Sequence, residues 1–499
     1  MKKRSLGFVG LLALLGIMIT SCGQKVVEYD GTEVQGVSAS EIVVGNTAAT
    51  AGGFAVVGVP FNAAIEAVFA DYNAAGGFGG AHVKLKHYND DFDGAKGLTY
   101  TKKLVEEDKI FALVGHFGTN TVTQTVDYIK EKGVPMVYAA TGVSSLYQEK
   151  AKGYNRAVMP VQPIFDAEGQ VLLARAVAAT EEDWGLGGTK VGVISTTDDA
   201  GTGMLAGIKK QAKEVKMSIT YVTTAADQGT DHSAAVNKLK NAQCDVVIVA
   251  ANQVPFTEIL NYMKAAAYDA KVITSYVSAN TKTLGDLVDN KVITKDRPVY
   301  TTAWLDITDV TRAVTHTAYY KVTVDPDNPA DATKYQYTLA VPTDTVKTEI
   351  NEKKNEYGFA VLANGDFYWV QVATAYSQDY WDYAECVARN GHPEYMANSY
   401  GMAGYIAGKI FVEGLKRVKA ANKDLTWKNY IEAMEEKEVS LPMGGTLDYS
   451  DGNRFGVTSL ALNTISLEKT STGAYTLVAV DGIRTLKDVM DHIPTNLKK

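Results

Sequence analysis

Two successive apolar runs, each ending in a small, hydroxyl-bearing turn, constrain this chain most. Residues 110–121 read IFALVGHFGTNT: an apolar run over 110–114, a glycine turn over 115–118, then Thr119, Asn120 and Thr121 opening a helix that stops near Gly133. A second apolar run over 134–138 follows at once and breaks at Ala139, Ala140, Thr141 and Gly142. Parallel strands joined by a helix place both turns at the same edge of one sheet, the edge where open α/β sheets bind ligands. Free N–H groups at a helix start, beside Thr and Asn side chains, suit a carboxylate or phosphate. The expectation is an anionic-group clamp in a small-molecule binding protein. Thr119, Asn120 and Thr121 are also good helix caps, and capping is compatible with binding.

The rest of the chain repeats the strand–helix alternation. A strand is expected at 41–45, a small-residue loop at 46–58 in which Phe54 is the only large side chain, a helix at 60–74, a strand at 82–87 and a helix at 97–108. A second set begins at Lys190, with strands at 191–195, 218–222, 245–250 and 271–275 and helices between them. A long helical segment at 165–179 separates the two sets. This pattern predicts an α/β fold: two doubly wound parallel-sheet lobes in tandem, with a cleft between them. Residues 315–380 break the pattern. Strand-like runs surround Asn364-Gly365, the strongest short hairpin signal, so this stretch reads as a β-rich insertion. Its tyrosines fit sheet packing, or contact with a partner. Helices return at 395–418 and 427–436, and strand-like runs close the chain at 457–465 and 475–480.

At 46% hydrophobic and 21% charged, the 499-residue chain has ordinary globular composition, enough for two or three domains. Lys+Arg number 49 against Asp+Glu 57, net −8, which gives no basic surface for nucleic acid. Lys2, Lys3 and Arg4 precede an apolar stretch over 6–19, then Thr20, Ser21 and Cys22, the pattern of a secretory signal. The sequence ITSC at 19–22 resembles a bacterial lipobox, which implies cleavage before Cys22 and acylation of that residue. Cleavage removes three positive charges and moves the net charge from −8 to −11. More than one acyl chain gives stable anchoring. Residues 22–40 then read as a tether. Cys244 and Cys386 remain, and whether they pair is open.

Other motifs point nowhere. Residues 201–207, GTGMLAG, faintly resemble a dinucleotide fingerprint, but the spacing is one residue too long and no acid follows near 222–223. Residues 89–94 begin like a calcium loop, yet its twelfth position is Tyr100. His116 has no metal-ligand spacing around it and reads as structural. There is no Gly-x-Ser-x-Gly elbow. No cofactor, metal or catalytic role is expected.

Taken in order, NAAGGFGG, HYNDDFD, LVGHFGTNTVTQ, VPMVYAATGVS, the strand into DDAGTG, and VYTTAW resemble the type I periplasmic binding proteins, in particular the substrate-binding components of branched-chain amino acid ABC transporters. The resemblance covers roughly 41–315 and 383–485. It implies two lobes joined by three hinge crossings, near 158–162, 301–306 and 452–457, that close over a solute. It also implies that Phe117, Gly118 and Thr119, with Ala140, Thr141 and Gly142, hold a solute carboxylate. Phe54 joins the pocket, and the second lobe supplies selectivity from Asp199, Ala200, Asn252 and Tyr276. This chain departs from the family where amino acid binders carry aromatic residues, here Ala200 and Asn252. It departs again where they carry the acid that pairs with the ammonium, here Tyr276, Val277 and Ser278. An unpartnered buried ammonium is costly. The solute is therefore something other than a standard α-amino acid, or Asp198 or Asp199 supplies the charge. The family's disulfide positions match Phe92 and Gly118.

The implied organisation is a lipoprotein signal at 1–21, the tether, a first lobe at 41–160, a second at 161–303, the first lobe again at 304–452 with the insertion at 315–380, and second-lobe sequence at 453–499. The implied function is a monomeric, lipid-anchored, extracytoplasmic solute receptor serving an ABC permease. The alternative is a sensing or adhesion lipoprotein that uses the insertion to engage a partner.

Overall fold

The structure, a computed structural model, describes residues 26–278, 281–305, 313–325, 329–469 and 475–494. The signal sequence, Cys22, and part of the second expected hinge crossing lie outside these residues.

The first sheet contains β1 (Glu41–Ala48), β2 (His82–Asn89), β3 (Leu113–Val114), β4 (Met136–Val137) and β5 (Val158–Met159). They run parallel in the order β2-β1-β3-β4-β5. Helices α1 (Ala55–Ala74), α2 (Gly94–Glu106) and α3 (Thr119–Lys132) connect them. The 110–114 run is fully buried, and backbone bonds from Phe111 to Val43 and from Gly45 to Ala112 lengthen the ladder beyond the two residues of β3.

The second lobe begins with α4 (Phe165–Val177). It continues as β6 (Val191–Thr196), α5 (Asp199–Glu214), β7 (Thr220–Thr224), α6 (Ser233–Asn241), β8 (Val246–Ala250), α7 (Gln253–Ala265), β9 (Lys271–Thr274), α8 (Thr281–Asp289) and β10 (Val299–Ala303). The continuous apolar runs follow from burial on both faces. Val193 and Ile248 point into the core beneath α4 and α5, whereas Ile194, Val247 and Val249 point into the core beneath α6 and α7. That is the period of two of a strand.

The expected β-rich insertion is a four-stranded antiparallel sheet. It contains β11 (Ala313–Thr323), β12 (Gln336–Ala340), β13 (Phe359–Val361) and β14 (Phe367–Ser377), in the order β12-β11-β14-β13. A helix the sequence reading missed, α9 (Asp344–Lys353), covers one face through Ile350. The chain then returns to the first lobe with α10 (Gln378–Arg389), also missed, α11 (Ser399–Ala420), α12 (Trp427–Glu435) and the short pair β15 (Val439–Ser440) and β16 (Thr446–Leu447). Finally β17 (Ser459–Ile465) and β18 (Leu477–Thr485) add antiparallel to the edge of the second sheet beside β10, followed by α13 (Leu486–Asp491).

The chain therefore passes between the two sheets three times: after β5, after β10, and before β17. The first and third passages are tied together. Val457 N–H donates to Val161 O at 2.8 Å, and the Tyr449 hydroxyl donates to Pro160 O at 2.8 Å. Glu435 on α12 receives both Arg156 and Arg454, whose side chain is wholly buried.

Two local expectations are corrected, and the pairing left open at Cys244 and Cys386 is answered. The loop expected at 46–58 is mostly ordered: β1 runs on to Ala48, and α1 starts at Ala55 with Pro60 inside it. The tether expected at 22–40 is packed on the first lobe over its described part. There Tyr29 is buried and donates to Gly133 O, and Gln35 donates to Val105 O and Ile110 O. Cys244 and Cys386 are free thiols, buried in different lobes.

Helix α1 is long and apolar enough to cross a bilayer, but most of it is buried. It crosses α11 in direct contact: a Cβ on Gly404 would lie 2.0 Å from the Phe61 carbonyl oxygen. Two helix backbones cannot yield as a side chain would. Gly404→Ala is expected to cost stability at the upper end of about 1–3 kcal/mol. Gly53→Ala, with nothing within 4 Å, should be near neutral in the same urea titration.

Candidate functional site

The two turns are zipped side by side at the C-terminal edge of the first sheet. Ala140 N–H donates to His116 O at 2.8 Å, Gly118 N–H donates to Ala140 O at 3.3 Å, and Phe117 pairs with Ala140 as a parallel bridge. Gly118 has φ +98°, and a Cβ there would meet the Phe92 ring at 2.8 Å, so glycine is required on both counts. It is the N-cap of α3 and contributes no capping side chain. The hydroxyls of Thr119 and Thr141 lie 2.9 Å apart, both nearly buried. Either can swing its proton toward an incoming anion.

Beneath them lies a polar network. Asp90 is fully buried and accepts from Thr47 Oγ1 at 2.8 Å, Thr121 Oγ1 at 2.6 Å and Phe92 N–H at 3.0 Å. The Thr121 hydroxyl is thereby turned inward. His116 accepts from Thr47 N–H through Nδ1, and its Nε2 faces Thr125 Oγ1 at 3.0 Å. Burial pushes its pKa down to about 3, so it stays neutral. It braces the turn. Asp91, Phe92 and Tyr138 all have left-handed backbone, strain that gathers around this edge.

In the second lobe, Asp198 caps α5, accepting from Gly201 N–H at 3.0 Å and Thr196 Oγ1 at 2.6 Å. Its other oxygen accepts from Asn252 Nδ2 at 2.8 Å. Asp199 accepts from Thr123 Oγ1 at 2.7 Å, a bond that joins α5 to α3 across the cleft. Ala200 is buried in the second-lobe core. Gly142 sits against the hinge: its carbonyl accepts from Phe165 N–H at 2.6 Å, and a Cβ would lie 2.4 Å from Pro163 O. Tyr276 donates its hydroxyl to Pro163 O at 3.2 Å and packs edge-on to Trp304.

A row of aromatic rings links the partly buried Phe54, Phe92 and Tyr276 through the first-lobe core. Phe54 stacks on Phe92, which meets Phe117; Phe117 leads through Phe61 to Tyr138, Trp304 and Tyr276. At the mouth, a hollow of about 620 Å³ is lined by Phe92, Asn120, Thr123 and Asp199 among others. The structure thus gathers Phe117, Gly118, Thr119, Ala140 and Thr141 at one edge, with Phe54 joined to them through Phe92. It places Asp199, Asn252 and Tyr276 on the facing lobe, and turns Ala200 and Gly142 into packing. Sequence reasoning missed Phe92, hidden in an acidic run, Thr123, one helical turn after Thr119, and Glu168. Among the described residues no acidic, His or Cys cluster could hold a metal.

The sequence profile of the periplasmic binding proteins matches residues 41–326, more than half of the chain. The chain belongs to the periplasmic binding protein family. Among curated family members it is similar to Leu/Ile/Val-binding protein homolog 2 of Brucella abortus (strain 2308), 26% identical over 212 residues, which are 42% of this chain and 54% of that protein. The match thus spans about half the length of that relative. The fold is shared with a fatty acid ABC transporter substrate-binding protein from Thermomonospora curvata (TM-score 0.64, 13% identity, 93% of this chain and 97% of that one). It is also shared with a branched chain amino acid ABC transporter from Thermus thermophilus with bound valine (TM-score 0.60, 15% identity, 91% and 99%). At these identities the likeness of structures concerns the fold alone.

Proposed function

We propose that this periplasmic binding protein captures a small carboxylate-bearing solute between its two lobes and delivers it to an ABC permease. The observation that carries the reading is the Thr119–Thr141 hydroxyl pair beside the uncapped start of α3, at the sheet edge that faces the second lobe. Helix-start N–H groups, beside two hydroxyls that can turn a proton outward, suit a carboxylate. The molecules named for similar proteins, Leu/Ile/Val, a fatty acid and valine, share the carboxyl group and little else. The aromatic row suits an apolar remainder. For an amino acid, the carboxylates placed to face an ammonium are Asp198 and Asp199, each of which already accepts hydrogen bonds. The signal sequence and Cys22 support a lipid anchor on the extracytoplasmic side of a bacterial membrane.

The test is a thermal-shift screen of amino acids, aryl acids and alkyl acids, each beside its primary amide. Free acids should raise Tm, since a ligand at 100 times its Kd adds about 2.7 kcal/mol. The matched amides should not. Amides that stabilise as well as the acids would overturn the reading.

A further inference from the structure

Glu168 is a buried acid that the clamp does not use. It sits on α4, just inside the second lobe after the first hinge passage, and its carboxylate lies at the cleft floor, fully buried. Every bond it makes is received. Oε1 accepts from Thr302 Oγ1 at 2.5 Å and from Tyr276 N–H at 3.3 Å, and Oε2 accepts from Ser275 Oγ at 2.8 Å. Thr302 lies on β10, the strand that leads into the second hinge passage. Ser275 and Tyr276 form the turn after β9. Tyr276 is a second-lobe side chain that packs against the first-lobe core at Trp304 and donates to the Pro163 carbonyl in the first hinge passage. One carboxyl group thus joins hinge strand, cleft-facing turn and interlobe contact.

We propose that Glu168 is a proton-linked switch of lobe closure: neutral, it lets the Tyr276 turn lie against the first lobe; ionised, it favours lifting that turn away so that water can reach the carboxylate. Burial pushes Glu168 up to about 7, outweighing the three donors that favour its charged form. The titratable group that feels its charge is Tyr276, itself close to Tyr138, and burial holds both phenols far above the ordinary value. Both stay neutral across this range. Thr302 and Ser275 face it from β10 and β9 without charge, and no neighbouring charge acts on it among the described residues. A group harder to ionise in the closed form than in a hydrated open form makes opening release a proton. Rising pH therefore favours the open form. An ionised Glu168 also sets a negative charge beneath a cleft that is to receive a carboxylate.

The consequence for capture rests on the solute-binding reading; the movement itself does not. Small-angle scattering of the ligand-free chain from pH 6 to 8.5 tests the movement. The radius of gyration should rise with a midpoint near pH 7 in the wild type and stay constant in Glu168→Gln. In Thr302→Val, which removes a donor that favours the charged form, the midpoint should move to higher pH. A flat wild-type profile, or the same rise in Glu168→Gln, would overturn the switch. Leucine, benzoate and octanoate, titrated at pH 6.5 and 8, separate the two ideas. Affinity several-fold weaker at pH 8 in the wild type but constant in Glu168→Gln supports both. Scattering that changes while no acid binds keeps the switch and removes the solute reading. Binding that is independent of pH, with flat scattering, removes the switch alone.

Discussion

Glu435→Ala is expected to lower the stability of the folded chain by about 3–5 kcal/mol. Arg454 is wholly buried and meets Glu435 Oε1 at 2.5 Å. Its remaining donors reach the carbonyls of Asn453 at 2.7 Å, Tyr449 at 3.1 Å and Arg156 at 2.9 Å. Arg156 itself is paired with the other face of Glu435. Without that carboxylate two guanidinium groups face each other, one of them out of water. Arginine cannot escape by giving up its proton. The damage falls where the first and third hinge passages are joined, so it reaches both lobes. Urea titration should show a lower midpoint with the slope unchanged. Lys487→Ala, which breaks an exposed pair with Asp491, should change stability by less than about 1 kcal/mol.

The second large effect depends on pH. Glu168 is raised from 4.5 to about 7 by burial. A carboxyl whose pKa is raised by folding contributes its stability in full below the unfolded value and loses it as pH climbs through the folded one. The wild type should therefore lose roughly 3 kcal/mol from this group between pH 4.5 and 8, at about 1.4 kcal/mol per pKa unit. Glu168→Gln keeps the shape and removes the charge. The variant should match the wild type near pH 5 and exceed it at pH 8.5, measured as the difference between denaturation midpoints at each pH. His116 works in the opposite sense, costing stability as pH falls below 6.5, but it is common to both chains and cancels in the difference. A group that costs stability at neutral pH, in an otherwise well-packed floor, fits a role in movement.

Much of this architecture was legible because it is local. Strands buried on both faces show as unbroken apolar runs such as 246–250, and Asn364-Gly365 marked its hairpin. The misreadings have physical causes. Residues 46–58 are small and glycine-rich, which reads as loop. Yet Gly58 is small because it packs against the Ala49 carbonyl, which a Cβ would approach to 2.1 Å, and Pro60 has the look of a helix start although it lies inside α1. Helix α9 was hidden by its mostly exposed, polar surface, with Ile350 as its buried anchor.

The site divides the same way. Thr119 and Thr141 are visible because each lies at the turn that follows a strand, and adjacent parallel strands bring those turns together. Glu168 was not visible. A glutamate on a helix reads as solvent-facing, and its partners at 275, 276 and 302 arrive only through the hinge topology. The aromatic row has the same character: Phe54, Tyr138, Tyr276 and Trp304 are far apart in sequence, and Tyr276 joins the others only when the sheets face each other.

Isothermal titration of the tightest acid from the screen into wild type and Thr119→Val tests the central claim most directly. Valine keeps the volume and the helix but removes the hydroxyl. A hydrogen bond to a charged group contributes about 1.5–3 kcal/mol. The predicted result is affinity at least tenfold weaker in the variant, with the ligand-free chain still folded and destabilised by no more than about 1–3 kcal/mol for the lost Thr119–Thr141 bond. Equal affinity in the two proteins would place the carboxylate elsewhere and contradict the clamp.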